Sequence, residues 1–257
     1  MSAVHGFGLG IATHNSAEDT LDVFYPKPLS SIEGDLAALL QGVSGPLDDS
    51  QLVELSSNFA SVGANDQAKL ADQLRSSAGR VVATTLVDNA APATVADAYL
   101  KLHLLSHRQV QPHGTELEGL FGLLPNVAWT DQGAVCLSDL PQRQLDARLK
   151  GTVLEVASVD KFPKMTNYVV PTGVRIAHTA RVRLGAYLGE GTTVMHEGFI
   201  NFNGGTEGPG MIEGRISAGV WVGAGSDLGG GCSTMGTLSG GGNIVISVGR
   251  ECLIGAN

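Results

Sequence analysis

The sequence predicts a mainly β protein in which a parallel β-helix follows an N-terminal α/β domain. Three observations predict it. Aliphatic residues recur at every sixth position in the C-terminal third: Ile176, Val182, Leu188, Val194, Ile200, then Ile216, Val222, Leu228, and later Val248 and Ile254. Glycine is concentrated in the same region, with 13 of the 35 in residues 1–170 and 22 in the remaining 87. The first part instead alternates amphipathic helical patterns with short β-branched runs.

The α/β domain is expected over residues 1–165. "SSIEGDLAALLQG" opens with serine before an acidic first turn and closes on Gly42, a helix pattern with both end signals. "DDSQLVELSSNFASVG" and "NDQAKLADQLRSSAG" repeat it, each ending at a glycine. "RVVATTLVD" is short and β-branched, hence a strand. "PATVADAYLKLHLLSHRQV" is a further amphipathic helix with a threonine start, "NVAWTDQGAVCL" two short strands about Asp131–Gly133, and "GTVLEVASVDKFP" another strand. "GFGLG" near residue 6 has no strand before it, so a dinucleotide loop is rejected.

The β-helix is expected over residues 166–257. A period of six fits neither a helix nor an exposed strand, and it is the signature of a solenoid whose hexapeptides are each one short strand and a turn. The aliphatic residue points inward and stacks on its equivalent one coil away, and the small residue after it suits the tight corner. "NFNGGTEGPG" (201–210) and "GTLSGGGN" (236–243) are glycine-rich interruptions, expected as loops extruded from a corner. The chain stops in mid-repeat at "LIGAN", which suggests missing C-terminal coils or a partner over that end. Glu213 and Arg215 sit where the rhythm resumes after its first break.

Composition narrows the function. The chain has 257 residues, 43% hydrophobic and only 16% charged, as a folded protein does. A net charge of −9 argues against nucleic acid as a partner, though local arginines can still hold an anion. No apolar run reaches membrane-spanning length and no secretory signal opens the chain, so the cytoplasm is expected. Cys136, Cys232 and Cys252 are an odd count without a CxxC pair and read as buried free thiols. His103 and His107 lie four apart on a predicted helix, but no third ligand is evident and an ordinary helix face is the better reading.

The motifs "MIEGRISAGV", "GGG.S.MGTLSGGG" and "LIGAN" carry a resemblance beyond the repeat itself. Over roughly residues 160–257 the chain resembles the tetrahydrodipicolinate N-succinyltransferases of the actinobacterial type, within the hexapeptide acyltransferases. The resemblance implies a left-handed β-helix, a homotrimer with sites between subunits, and succinyl-CoA as co-substrate. It implies succinyl transfer to the amine of 2-amino-6-oxopimelate, the opened form of tetrahydrodipicolinate, a step towards diaminopimelate and lysine. It also implies that Glu213 is the catalytic carboxylate and that Gly236 gives a backbone N–H to the thioester oxygen. Acyl-CoA contacts fall on Arg215, Gly230, Ser233 and Ala256. A Mg²⁺ site would use Glu197, but Ala180 stands where its acidic companion is usual.

The residues are consistent with such chemistry. Acyl transfer to an amine needs a proton acceptor, a donor for the oxyanion and two substrates held together. Glu213 can serve as base or as a nucleophile that forms an anhydride. Arg181 and Arg183 alternate along one strand and so share an outward face, where two cations suit a dicarboxylate substrate. His196 is the base other hexapeptide acyltransferases would use, and an acetyl-transferring relative is one alternative. A structural or inactive β-helix is the other.

Overall fold

The structure is a computed structural model that describes residues 3–236 and 244–255. By its internal contacts the chain divides into two units: Met1–Leu100 with Leu117–Pro163, and Lys101–Glu116 with Lys164–Asn257.

The first unit is built on β1 (Ala3–His14), a strand of 12 residues. Around it come β2 (Thr20–Phe24), β3 (Leu29–Glu33), α1 (Gly34–Leu40), β4 (Gly45–Pro46), α2 (Asp49–Ser61), α3 (Asn65–Leu74) and β5 (Arg80–Leu86). The sheet runs β2-β1-β5-β4, with β3 also on β1, and every pairing is antiparallel. Nothing in the sequence pattern pointed to β1, because its glycines dilute the alternation. They are needed for close approach: a Cβ on Gly8 would lie 2.5 Å from the Tyr25 ring, and one on Gly10 would lie 2.4 Å from the carbonyl oxygen of Phe24. "GFGLG" is therefore part of a central strand and no loop at all.

The helix expected from Ser30 begins only at Gly34, because Leu29–Glu33 pairs with β1, Val4 opposite Ile32. α2 falls where its end signals predict, from Asp48 to just before Gly63, whereas α3 ends at Leu74, five residues short of the Gly79 that was expected to close it. Asp48 caps α2 through the Gln51 N–H at 2.8 Å while Gln51 bonds back to the Asp48 N–H at 2.9 Å. Leu52, Leu55 and Phe59 of α2 lie on one face and close over Phe7 and Leu9 of β1 in a single apolar core.

α4 (Val95–Ser106) starts with a reciprocal Thr94–Asp97 cap, and the division between units falls inside it. The first unit continues with α5 (Leu120–Leu123), β6 (Val127–Thr130), β7 (Gly133–Cys136), α6 (Leu140–Leu149) and β8 (Val156–Asp160). The strands form a second antiparallel sheet, β7-β6-β8. The expected hairpin turns at Gly133, whose φ is 99°. α6 went unread in the sequence because it has little apolar face: Ala147 is its only buried residue.

The second unit holds β9 (Arg175–Ile176), β10 (Tyr187–Leu188), β11 (Thr192–Val194), β12 (Phe199–Ile200), β13 (Gly205–Thr206), β14 (Gly210–Ile212), β15 (Arg215–Ile216), β16 (Trp221–Val222), β17 (Asp227–Leu228), β18 (Ser247–Val248) and β19 (Leu253–Ile254). They stack into three parallel sheets: β9-β11-β14-β17-β19, β10-β13-β16-β18, and β12-β15. Bridges from Val182 to Ile200 and from Arg215 to Ser233 extend the third. This is a parallel β-helix, and Val182, Leu188, Val194, Ile200, Ile216, Val222 and Leu228 are among its buried inward residues, whereas Ile176 and Val248 are half-buried and Ile254 is exposed.

The reading of 201–210 as an extruded loop is corrected by β13 and β14. Thr206 stacks between Leu188 and Val222 as an inward residue, so the repeat continues through it. Its hydroxyl lies 2.7 Å from that of Thr192, which also bonds to the Gly189 and Gly208 carbonyls, so the buried hydroxyls are satisfied within the coil. Ile212 likewise stacks between Val194 and Leu228. The rhythm does break, but between Ile212 and Ile216, where an inward residue follows after four positions in place of six. Residues 237–243, the body of the second expected loop, lie outside the described residues.

Residues 106–113 run along the β-helix within the second unit. The Ser106 hydroxyl accepts from the Gly185 N–H at 2.8 Å and donates to the Ala186 carbonyl at 3.0 Å. The His113 N–H bonds to Asn203 at 2.9 Å and its ring Nε2 lies 2.7 Å from the Gly219 carbonyl. Of the three free cysteines only Cys232 is buried; Cys136 and Cys252 are half-exposed, against the expectation of three buried thiols.

Candidate active site

The shortened corner sets the geometry. Between inward Val194 and Ile200 the chain has room for Met195, His196, Glu197, Gly198 and Phe199; between Ile212 and Ile216 it has only Glu213, Gly214 and Arg215. The short corner lies close on the coil that follows. The Glu213 and Gly214 N–H groups both bond to the Leu228 carbonyl, at 2.8 and 3.1 Å, and the Arg215 N–H bonds to the Cys232 carbonyl at 2.9 Å. Gly214 has no space for a side chain, because a Cβ there would stand 2.3 Å from the Cys232 sulfur. The neighbouring corners keep their full length, so the short one is a step flanked by two longer turns.

Glu213 is half-buried in that step, and its carboxylate accepts the Gly230 N–H at 3.1 Å. Arg215 is exposed and its Nε donates to the Ser233 hydroxyl at 3.1 Å. Four residues singled out in the sequence, Glu213, Arg215, Gly230 and Ser233, thus meet across two successive coils. Gly236 is buried against Ser217 and Ala218, just past inward Ile216; a Cβ on it would lie 3.0 Å from the Ala218 carbonyl oxygen. Ala256 lies outside the described residues. Burial raises the Cys232 thiol above its ordinary value, which keeps it neutral and apolar behind the corner.

Arg181 and Arg183 form a second cluster beside the β12 column, but not along one strand as expected: Arg181 ends a 3₁₀ turn (Thr179–Arg181), and Val182 and Arg183 make single bridges to Ile200 and Lys164. Arg181 Nη2 lies 2.8 Å from Glu197 Oε2, and the other carboxylate oxygen lies 2.8 Å from His196 Nδ1. The hydrogen bond from His196, and then the charge of Arg181, hold the Glu197 carboxyl below the usual carboxylate range. The His196 ring meets His178 of the preceding coil edge-on at 5.2 Å. Arg183 bonds to Asn201 at 3.1 Å and its guanidinium lies 5.9 Å from the centre of the Phe199 ring. These pairings join residues 16 to 18 positions apart and were invisible in the sequence, where Glu197 read as a metal ligand and the arginines as substrate contacts.

Metal ligation finds little support within one chain. Among the described residues no three His, Cys, Asp or Glu side chains converge closely enough to hold an ion. Glu197 already faces one guanidinium, and residue 180 beside Arg181 is an alanine. A Mg²⁺ ion asks for six oxygen ligands in near-octahedral array, so these residues do not fit it by themselves. His103 is fully buried on α4, its ring 6.0 Å from that of His107.

The fold and site define a parallel β-helix protein of hexapeptide coils, with a carboxylate and a guanidinium in a step at one corner. Comparison with known proteins narrows the class. The family described as tetrahydrodipicolinate N-succinyltransferase middle matches residues 124–164. A 2,3,4,5-tetrahydropyridine-2,6-dicarboxylate N-succinyltransferase of Pseudomonas paraeruginosa is 60% identical over 99% of this chain and 76% of its own length. Proteins of the same name from Pseudomonas putida and Vibrio cholerae are 59% and 51% identical, over 100% and 99% of this chain and 76% and 77% of theirs. A crystal structure named as a 2,3,4,5-tetrahydropyridine-2-carboxylate N-succinyltransferase of Campylobacter jejuni superposes with a TM-score of 0.88 at 30% identity, over 98% of this chain and 73% of that one. The chain belongs to the tetrahydrodipicolinate N-succinyltransferase family.

Proposed function

We propose that the chain transfers a succinyl group from succinyl-CoA to the amine of 2-amino-6-oxopimelate, the opened form of tetrahydrodipicolinate, on the way to diaminopimelate and lysine. Family membership supports the donor and the reaction. The observation that carries the site is the Glu213 carboxylate, anchored by the Gly230 N–H in the short corner beside Arg215.

Glu213 takes a proton from the acceptor's ammonium, and the freed nitrogen attacks the thioester carbon. The Gly236 N–H donates to the oxyanion of the tetrahedral intermediate. As the carbon–sulfur bond breaks, the nitrogen sheds a second proton, CoA leaves as the thiol, and one proton is released overall. Arg215, Gly230 and Ser233 line the acyl-CoA side, and Ala256 is a further acyl-CoA contact implied by the family. Arg181 and Arg183 face the acceptor's carboxylates, to which guanidinium N–H groups are matched.

The working form is a homotrimer in the cytoplasm, with sites completed between neighbouring β-helices. Among the described residues no helix is long and apolar enough to cross a membrane. A Mg²⁺ ion at Glu197 would need carboxylates from other copies of the chain, and no step above passes through it.

A thiol-release assay tests this reading. CoA release should require both succinyl-CoA and the amine acceptor, with acetyl-CoA a poor substitute. Glu213→Gln should lower kcat by about 10²- to 10⁴-fold with the circular-dichroism spectrum unchanged. Efficient turnover of acetyl-CoA would favour an acetyltransferase, and full activity of the variant would remove Glu213 from the mechanism.

A further inference from the structure

We propose that Glu197 is a positioning residue for Arg181, fixing its guanidinium to receive a carboxylate of the acceptor. The inference rests on the reading above, in which Arg181 faces that substrate.

The hold is two-pointed. Arg181 Nη2 bonds to Glu197 Oε2 at 2.8 Å while Nη1 bonds to the backbone carbonyl of the same residue at 3.3 Å. Two contacts on adjacent nitrogens fix the plane of the guanidinium as well as its place. They account for two of its five N–H donors. Glu197 is itself held, because its second oxygen meets His196 Nδ1 at 2.8 Å and the His196 ring stands edge-on against His178. The carboxylate therefore has a cationic or donor partner on each oxygen, and among the described residues it joins no cluster of three His, Cys, Asp or Glu side chains.

Energetics favour a geometric role over a stabilising one. The side chains of Arg181 and Glu197 are 39% and 66% exposed, and an exposed ion pair adds little to folding stability. A long arginine at the end of a surface 3₁₀ turn (Thr179–Arg181) is otherwise free to sample many rotamers, and binding would have to restrict them. Arg183 is treated in the same way. Two positions further on, past inward Val182, it is fixed by Asn201 and lies over Phe199. Residues 197, 199 and 201 of one coil thus orient both arginines of the coil before it. A cation placed at Glu197 would face Arg181 at close range, which is the opposite of what a metal site provides.

Three variants and two readouts test the proposal: Glu197→Gln, Arg181→Ala and the double variant, assayed for separate KM values and for thermal shift with MgCl₂ or EDTA. Arg181→Ala should raise the acceptor KM about tenfold or more, and Glu197→Gln about threefold to tenfold, as loss of one charge-assisted contact does. In both, kcat and the KM for succinyl-CoA should stay within about twofold. The double variant should be no worse than Arg181→Ala alone, because the two act as one unit. MgCl₂ should move the melting temperature of the wild type and Glu197→Gln equally. An unchanged acceptor KM in Glu197→Gln, with a raised one in Arg181→Ala, overturns the positioning role alone. An unchanged acceptor KM in Arg181→Ala overturns the assignment of this face to the substrate, and the inference with it. A stabilisation by Mg²⁺ that Glu197→Gln abolishes makes Glu197 a metal ligand instead.

Discussion

Glu213 depends on a neighbour that has no side chain. Gly214 fits only because its Cβ is missing: one would stand 2.3 Å from the Cys232 sulfur and 2.6 Å from the Cys232 carbonyl oxygen. The corner would have to lift off the coil below, and the Glu213 carboxylate would move away from the Gly230 N–H. Gly214→Ala should therefore cost about 1–3 kcal/mol of stability, as overpacking does. It should lower kcat by about tenfold to a hundredfold, the price of a displacement on the order of 1 Å. Thermal melting and steady-state kinetics on the same preparation check both, and a wild-type kcat would mean that the corner does not position the carboxylate. At this scale the sequence was informative where charge was rare. Glu213 and Arg215 were conspicuous as charged residues at the break in an apolar repeat. The Arg181–Glu197 pair was not, because only the winding of a coil makes residues 16 apart into neighbours.

Coils stack at the spacing of hydrogen-bonded strands, and that spacing decides where glycine is required. A Cβ on Gly205 would lie 1.9 Å from the Tyr187 carbonyl oxygen of the coil before it. Backbone cannot yield as a side-chain tip can, so Gly205→Ala should destabilise the β-helix by at least about 1–3 kcal/mol, seen as a lowered urea midpoint. The coils are also tied from outside. Arg250 pairs with Glu207 through two contacts, Nε to Oε2 at 2.8 Å and Nη2 to Oε1, and Glu207 accepts the Ala224 N–H at 3.0 Å. The Arg250 hydrogen bond first, and then that N–H, lower the Glu207 carboxyl from 4.5 to about 2. Its pKa is lower folded than unfolded, so the stabilisation is complete above about pH 4.5, shrinks as pH falls, and is gone below about 2. Melting temperatures of the wild type and Glu207→Gln should accordingly differ most above pH 4.5 and converge towards pH 2; a gap independent of pH would assign the effect to packing. The same element explains why 201–210 was misread. Thr206 occupies an inward place with a hydroxyl, and the aliphatic period falters there although the fold does not.

For the whole chain, the repeat made the β-helix legible while the partition into units was harder to read. Lys101–Glu116 groups with the β-helix although it precedes the first hexapeptide by some sixty residues. Its ties run from Ser106 and His113 to corner carbonyls and amides at residues 185, 186, 203 and 219, contacts that carry no period of their own. β1 was hidden for a related reason, since its glycines answer to Tyr25 and Phe24 and not to a pattern along the strand. What the molecule does as a unit is tested by linkage between ligand and folding. A ligand bound only by the folded chain stabilises it by about 2.7 kcal/mol at a hundredfold excess over its Kd. For a chain of this size each kcal/mol is worth about 2–4 °C, so succinyl-CoA should raise the melting temperature by roughly 5–10 °C. At the same concentration acetyl-CoA should do less, because it lacks the terminal carboxylate. Hydrogen exchange places the effect. Protection should be greatest at residues 212–216 and 228–234, where Glu213 meets Gly230 and Arg215 meets Ser233, and slight in the sheet of β1 to β5. Protection concentrated in that sheet, or equal stabilisation by the two thioesters, would move the acyl-donor site away from the short corner.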